Sequence, residues 1–181
     1  RIFDLPRRSE GKAGGKKFRW LPKKECRLQY RDSIFKKMKS WIIVGAEFLF
    51  SKDSPKKLAK ISKDIVRFRE ERYPPGMLCP GSFFKNIPLA RLSPKLRKRF
   101  LKKVNPTKVI FNKVPTGYLL EEVGAKGMRI GGIRVAEHHG NLFYNSGRAK
   151  ARDIKALSKT LKNKVRRRFG VELEEEIQYL G

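Results

Sequence analysis

The chain is poor in histidine, cysteine and acid. Its two histidines, His138 and His139, are neighbours in a sequence of 181 residues. Adjacent residues of a strand point to opposite faces, so the pair cannot share an ion, and no third histidine exists to complete a ligand set. No metal is expected. The two cysteines, Cys26 and Cys79, make neither a disulfide framework nor a zinc knuckle. Each reads as a small buried hydrophobe in a reducing cytoplasm. No apolar run approaches the roughly 20 residues of a membrane span. The longest, Trp41 to Phe50, reads as a buried strand, and no membrane partner is expected. The opening Arg1-Ile2-Phe3-Asp4 lacks the basic and apolar regions of a secretory leader. There is no initiator methionine, and residue 1 reads as strand interior, so the chain is expected to be part of a longer polypeptide. The glycines at 124, 127, 131 and 132 do not form a Gly-x-Gly-x-x-Gly fingerprint after a strand. A Gly-x-Ser-x-Gly hydrolase elbow is broken by Phe84.

Apolar residues make up 39% of the chain, with 12 Phe, 5 Tyr and 2 Trp. That fills the core of one ordinary domain, or of a small domain plus part of another. Forty-five Lys and Arg face 17 Asp and Glu, a formal charge of +28. Such a field attracts polyanions, and a basic nucleic-acid-binding module is the rival reading. The cations, however, occur in every segment, with no zinc-finger or RNP-type motif beside them. Solvated faces account for them better, and nucleic acid is not the expected partner.

Residues 1–50 read as strands joined by turns, including Phe18-Arg19-Trp20 and the 41–50 run, with Gly11 to Gly15 as a flexible turn. Ser54 suits an N-cap and Pro55 a first helical position. Leu58, Ile61, Ile65 and Phe68 then predict an amphipathic helix over 55–71. Further helices are predicted over 94–103, over 116–124 with Thr116 as cap and Gly124 as stop, and over 150–168 before Gly170. Strands are expected around 133–136 and 142–145. In the closing segment Val171, Leu173, Ile177 and Tyr179 share one face, and Glu172, Glu174, Glu176 and Gln178 the other. Helices and strands mix without regular βαβ alternation, which predicts the α+β class. The break at 51–54 divides residues 1–50 from a domain over 55–181.

Three segments carry candidate chemistry: Tyr30-Arg31-Asp32-Ser33, Gly81-Ser82-Phe83-Phe84-Lys85-Asn86 and Leu173-Glu174-Glu175-Glu176-Ile177. They supply a fixed cation, a proton-bearing hydroxyl and a carboxylate. Taken with Gly117 to Glu121, Lys126 to Gly132 and His139-Gly140-Asn141-Leu142, in that order along the chain, they resemble the UDP-N-acetylenolpyruvoylglucosamine reductases (UDP-N-acetylmuramate dehydrogenases). The resemblance implies that residues 1–50 end a flavin-binding domain and that 55–181 form a substrate-binding domain. It implies FAD and NADPH as cofactors, and UDP-N-acetylglucosamine enolpyruvate as a substrate reduced for peptidoglycan synthesis in the cytoplasm; the alternative within the resemblance is a degenerate relative that binds the UDP-sugar without reducing it. Hydride would arrive at the enol ether carbon while charge builds toward the adjacent carboxylate. Arg31 and Glu176 would polarise that carboxylate, and Ser82 would supply the proton. Arg31 and Ser82 would also contact the cofactor. Tyr30, Lys85, Asn86, Lys113, His139 and Asn141 would line the substrate pocket. The chain departs from the family pattern at Leu78-Cys79-Pro80, at Ile87 where proline is common, at Gly140 where alanine is usual, and in a basic insertion over 88–112.

Overall fold

The structure, a computed structural model, describes residues 11–13, 16–38 and 40–179. The chain divides into two compact units, residues 1–62 and 63–181.

In the first unit β1 (Gly11–Ala13) pairs antiparallel with β2 (Lys16–Phe18). Gly11 to Ala13 are therefore strand and not turn. The turn expected at Gly14 and Gly15 lies outside the described residues. A turn through Tyr30 and Arg31 follows, closed by reciprocal Gln29 and Asp32 backbone hydrogen bonds of 2.9 and 3.3 Å. The short helix α1 (Ile34–Lys37) comes next. Residues 41–50 form no strand, and their side chains are open, with Ile42 85% and Phe50 80% exposed. An apolar run becomes a strand only when another backbone satisfies its N–H and C=O groups. Among the described residues none does so here.

Helix α2 (Pro55–Glu70) begins where expected, and Ser54 Oγ accepts a hydrogen bond from Lys57 N at 3.5 Å. Its apolar stripe stays half-exposed, and no α2 residue is buried.

The core lies in the second unit. Strands β5 (Arg129–Ile130), β6 (Ile133–Ala136) and β7 (His139–Asn145) form an antiparallel sheet in that order. Helix α5 (Ala151–Phe169) lays Leu157, Leu161 and Val165 into the core cluster beneath it. It stops at Gly170, whose φ of 75° is the left-handed conformation that glycine adopts without strain. Phe83 and Phe143 stack 4.4 Å apart within the same cluster, and Phe84 meets Phe83 edge-on at 4.9 Å. A second ribbon, β3 (Ile87–Pro88) with β4 (Lys113–Val114), brackets the basic insertion, which holds helix α3 (Pro94–Leu101). Phe100 anchors α3 against Phe169 at 6.3 Å.

Helix α4 (Thr116–Glu122) packs beside β7. Its N-cap is Pro115 and not Thr116. Thr116 is fully buried one position further in, and its hydroxyl donates to Lys85 O at 2.5 Å. The hydroxyl expected to cap a helix instead fastens the helix to the serine loop. The closing segment is extended but engages only through a bridge at Glu175. Its alternation is as expected, with Val171 and Leu173 buried and Glu172 and Glu174 exposed. The class is α+β.

Candidate active site

The serine loop is an added strand. Gly81, at φ +82°, turns the chain in. Ser82 then bridges Leu142 of β7, and Phe84 bridges Glu175 of the closing segment, both antiparallel. Backbone bonds run from Phe83 N to Asn141 O at 3.0 Å, from Lys85 N to Glu174 O at 2.8 Å and from Glu176 N to Phe83 O at 2.8 Å. Residues distant in sequence, Ser82 and Glu176, are thereby held on neighbouring strands.

Glu175 hydrogen-bonds α5, so Glu176, the next residue, points away from that helix. Ser82 is exposed and Glu176 half-buried.

Asn141 makes this possible. It is 2% exposed, its Oδ1 accepts from Phe84 N at 2.9 Å, and its Nδ2 donates to Phe84 O at 2.8 Å. The carboxamide stands in for a peptide group of a missing strand residue, pinning Phe84 where the ladder slips. His139 supports the same turn: its Nδ1 accepts from Asn141 N at 3.0 Å. Burial holds the His139 pKa below its ordinary value, although the Glu121 charge pulls the other way. Gly117 must lack a side chain, because a Cβ there would come within 2.9 Å of the His139 ring.

The Lys85 ammonium, largely covered, pairs with the Glu174 carboxylate, which Arg91 also approaches at 3.5 Å. Asn86 Oδ1 accepts from Thr116 N at 3.1 Å, and Lys113 sits opposite Pro88 in the ribbon that follows. The second unit thus gathers Ser82, Lys85, Asn86, Lys113, His139, Asn141 and Glu176. Tyr30 and Arg31 belong to the first unit. Arg31 occupies the left-handed region at φ 55°, and its guanidinium lies 6.0 Å from the Tyr30 ring centre. A non-glycine residue costs about 1–2 kcal/mol there, a strain often kept where a side chain must be aimed.

The glycine-rich turns do not fit a dinucleotide pyrophosphate. A Cβ at Gly127 would collide with the Glu137 carboxylate, and one at Gly131 with Asp153. Asp153 Oδ2 accepts from Lys150 N at 2.9 Å and from Gly132 N at 3.4 Å. Carboxylates already fill the space at both turns, and Asp153 and Val135 O take N–H groups that a phosphate would use.

Two features escaped sequence reasoning. Nothing in the order of residues marked Asn141 as a backbone surrogate for Phe84. Nor did anything mark Ser158, Lys162 and Tyr179 as partners of Glu175.

The family model for the C-terminal domain of UDP-N-acetylenolpyruvoylglucosamine reductase matches residues 74–180. A UDP-N-acetylenolpyruvoylglucosamine reductase of Solibacter usitatus is 46% identical over 158 residues, covering 87% of this chain and 49% of the relative. One of Photobacterium profundum is 34% identical, covering 89% and 53%. The chain spans about half the length of these curated relatives. The crystal structure of UDP-N-acetylenolpyruvylglucosamine reductase from Thermus caldophilus shares the fold at a TM-score of 0.62 and 21% identity, over 93% of this chain and 50% of that one. The chain belongs to the UDP-N-acetylenolpyruvoylglucosamine reductase family, which it matches through that family's C-terminal domain.

Proposed function

We propose that this chain is the substrate-binding part of a cytoplasmic enzyme that reduces UDP-N-acetylglucosamine enolpyruvate to UDP-N-acetylmuramate for peptidoglycan synthesis. The observation that carries the reading is the backbone pairing that holds the segments of Ser82 and Glu176 side by side, Phe84 bridging Glu175 and Glu176 N bonded to Phe83 O. FAD, reloaded by NADPH, would supply the hydride.

The chain's own residues do the rest. Ser82 holds a proton on an exposed hydroxyl and gives it to the carbon left electron-rich by reduction. Phe83 and Phe84, both locked in the core, keep that hydroxyl from drifting. Glu176 polarises the substrate carboxylate as charge builds there. Arg31 supplies the opposite charge. A bidentate guanidinium contact matches a carboxylate in a way an ammonium does not. Lys85, Asn86 and Lys113 are the contacts for the nucleotide part, with Tyr30 beside Arg31. Asn141 and His139 serve the pocket by holding its wall. Residues 1–50 are the end of the flavin-binding domain, which accounts for the bare apolar side chains over 42–50.

Calorimetric titration of this chain with UDP-N-acetylglucosamine enolpyruvate tests the reading. Saturable binding that weakens in Lys85→Ala and Asn86→Ala supports it. Binding equal to that of an unrelated nucleotide sugar contradicts it.

A further inference from the structure

Glu175 is an anomaly on its strand. Its neighbours on the same side, Leu173 and Ile177, belong to or pack against the core, yet Glu175 carries a carboxylate. Its partners all lie on that side. Ser158 of α5, 1% exposed, donates its hydroxyl to Glu175 Oε1. Lys162, one turn further along α5, places Nζ 2.8 Å from the same oxygen. Tyr179 lines the same cavity as Glu175, and its hydroxyl is pushed up to about 12 by burial and then by the Glu175 charge. Lys162 Nζ lies 5.9 Å from the Phe84 ring centre as well, so one lysine touches both members of the Phe84–Glu175 bridge.

A leucine at this position would bury apolar area without the cost of desolvating a charge. Apolar packing, however, has no direction, whereas hydrogen bonds fix the line between donor and acceptor. Two donors of α5 converging on one carboxylate oxygen therefore set the rotation of the strand about its axis. In extended backbone the direction of one residue sets that of the next. The tie to α5 thus aims Glu176 at the opposite face, while Glu176 N stays bonded to Phe83 O at 2.8 Å.

We propose that Glu175 is a positioning residue: α5 grips it through Ser158 and Lys162, with Tyr179 from beyond, and so holds Glu176 at the substrate. The inference rests on the role given to Glu176 above. A solvent-open cavity of about 310 Å3, bordered by Lys155, Ser158, Lys162 and Tyr179, lies against the carboxylate. Water can replace a lost partner there, so the variants below are expected to fold.

The test uses the flavin-bearing enzyme that contains this chain, with Glu175→Ala, Glu176→Ala and both together. Glu175→Ala should slow substrate-driven flavin reoxidation about tenfold, the scale of a small misplacement, and leave reduction by NADPH unchanged. The double variant should be no slower than Glu176→Ala alone. Glu175→Gln, which keeps the shape and an acceptor oxygen, should recover most of the rate. In this chain by itself, amide hydrogen exchange at Glu176 should quicken at least about tenfold in Glu175→Ala and in Ser158→Ala, while α5 core amides keep their protection. A double variant slower than Glu176→Ala, or unchanged exchange at Glu176, overturns the positioning role and leaves the reductase reading standing. Reoxidation untouched by Glu176→Ala would instead sink the role of Glu176, and the inference with it.

Discussion

Asn141→Ala should cost more than its size suggests. The side chain buries little apolar area, but it closes both backbone valences of Phe84, N–H at 2.9 Å and C=O at 2.8 Å. Phe84 is 1% exposed and Asn141 2%, so water cannot take over either bond without opening the core. Leaving a buried donor or acceptor unpaired costs about 1–3 kcal/mol each. Two groups, partly relieved by a water entering the vacated volume, give roughly 2–4 kcal/mol. That is a large share of the about 5–15 kcal/mol that holds a domain together. For a unit of this size it lowers the melting temperature by roughly 10 °C. Thermal and urea unfolding followed by circular dichroism measure it directly. Asn141→Asp is the sharper comparison: it keeps the acceptor for Phe84 N–H but sets an oxygen against Phe84 C=O, so it should be no more stable than alanine at neutral pH. A loss under about 0.5 kcal/mol, the range of an ordinary surface change, would refute the reasoning. So would an aspartate variant as stable as the parent.

Further outcomes follow from other contacts. Burial holds the His139 pKa below its ordinary value near 6.5, so the unfolded chain binds that proton more readily than the folded one. The stability His139 provides is complete above about pH 6.5 and is lost as pH falls through its depressed value; replacement by glutamine should flatten that part of a melting-temperature profile. Burial and then the Glu175 charge push the Tyr179 hydroxyl up to about 12. The ultraviolet difference between parent and Tyr179→Phe should therefore show phenol ionisation near pH 12, moving lower in Glu175→Gln; ionisation at an unshifted position would contradict the contact. Gly140→Ala installs the residue usual in the family. Here its Cβ would lie 2.9 Å from Glu121 Cγ and 3.0 Å from Gly117 O, so a loss of about 1–3 kcal/mol is expected as α4 is forced off β7.

Much of this fold was legible because periodicity is local. The stripes of α2 and α5 announce themselves within a few turns, and Gly124 and Gly170 stop their helices as left-handed glycines. The faces of the closing segment follow from alternation alone. Residues 41–50 misled because an apolar run shows the need for burial and not the partner that provides it. Thr116 looked like a cap because its hydroxyl stands at a helix start, but Lys85 O, far away in sequence, claims it. The same distance hid the site's supports. Asn141 meets Phe84 across 57 positions, and Glu175 meets Ser158 across 17. The three motif segments were readable as chemistry. The bonds that aim them were not, because each joins parts of the chain that no local pattern links.

Ser82→Ala in the flavin-bearing enzyme, followed through its two half-reactions by rapid mixing, addresses the proton-donor role directly. Reduction of the flavin by NADPH should proceed at the parent rate. Reoxidation by UDP-N-acetylglucosamine enolpyruvate should slow by about 100-fold or more, the usual contribution of a placed general acid. Both steps slowing equally, or reoxidation at the parent rate, would contradict the account.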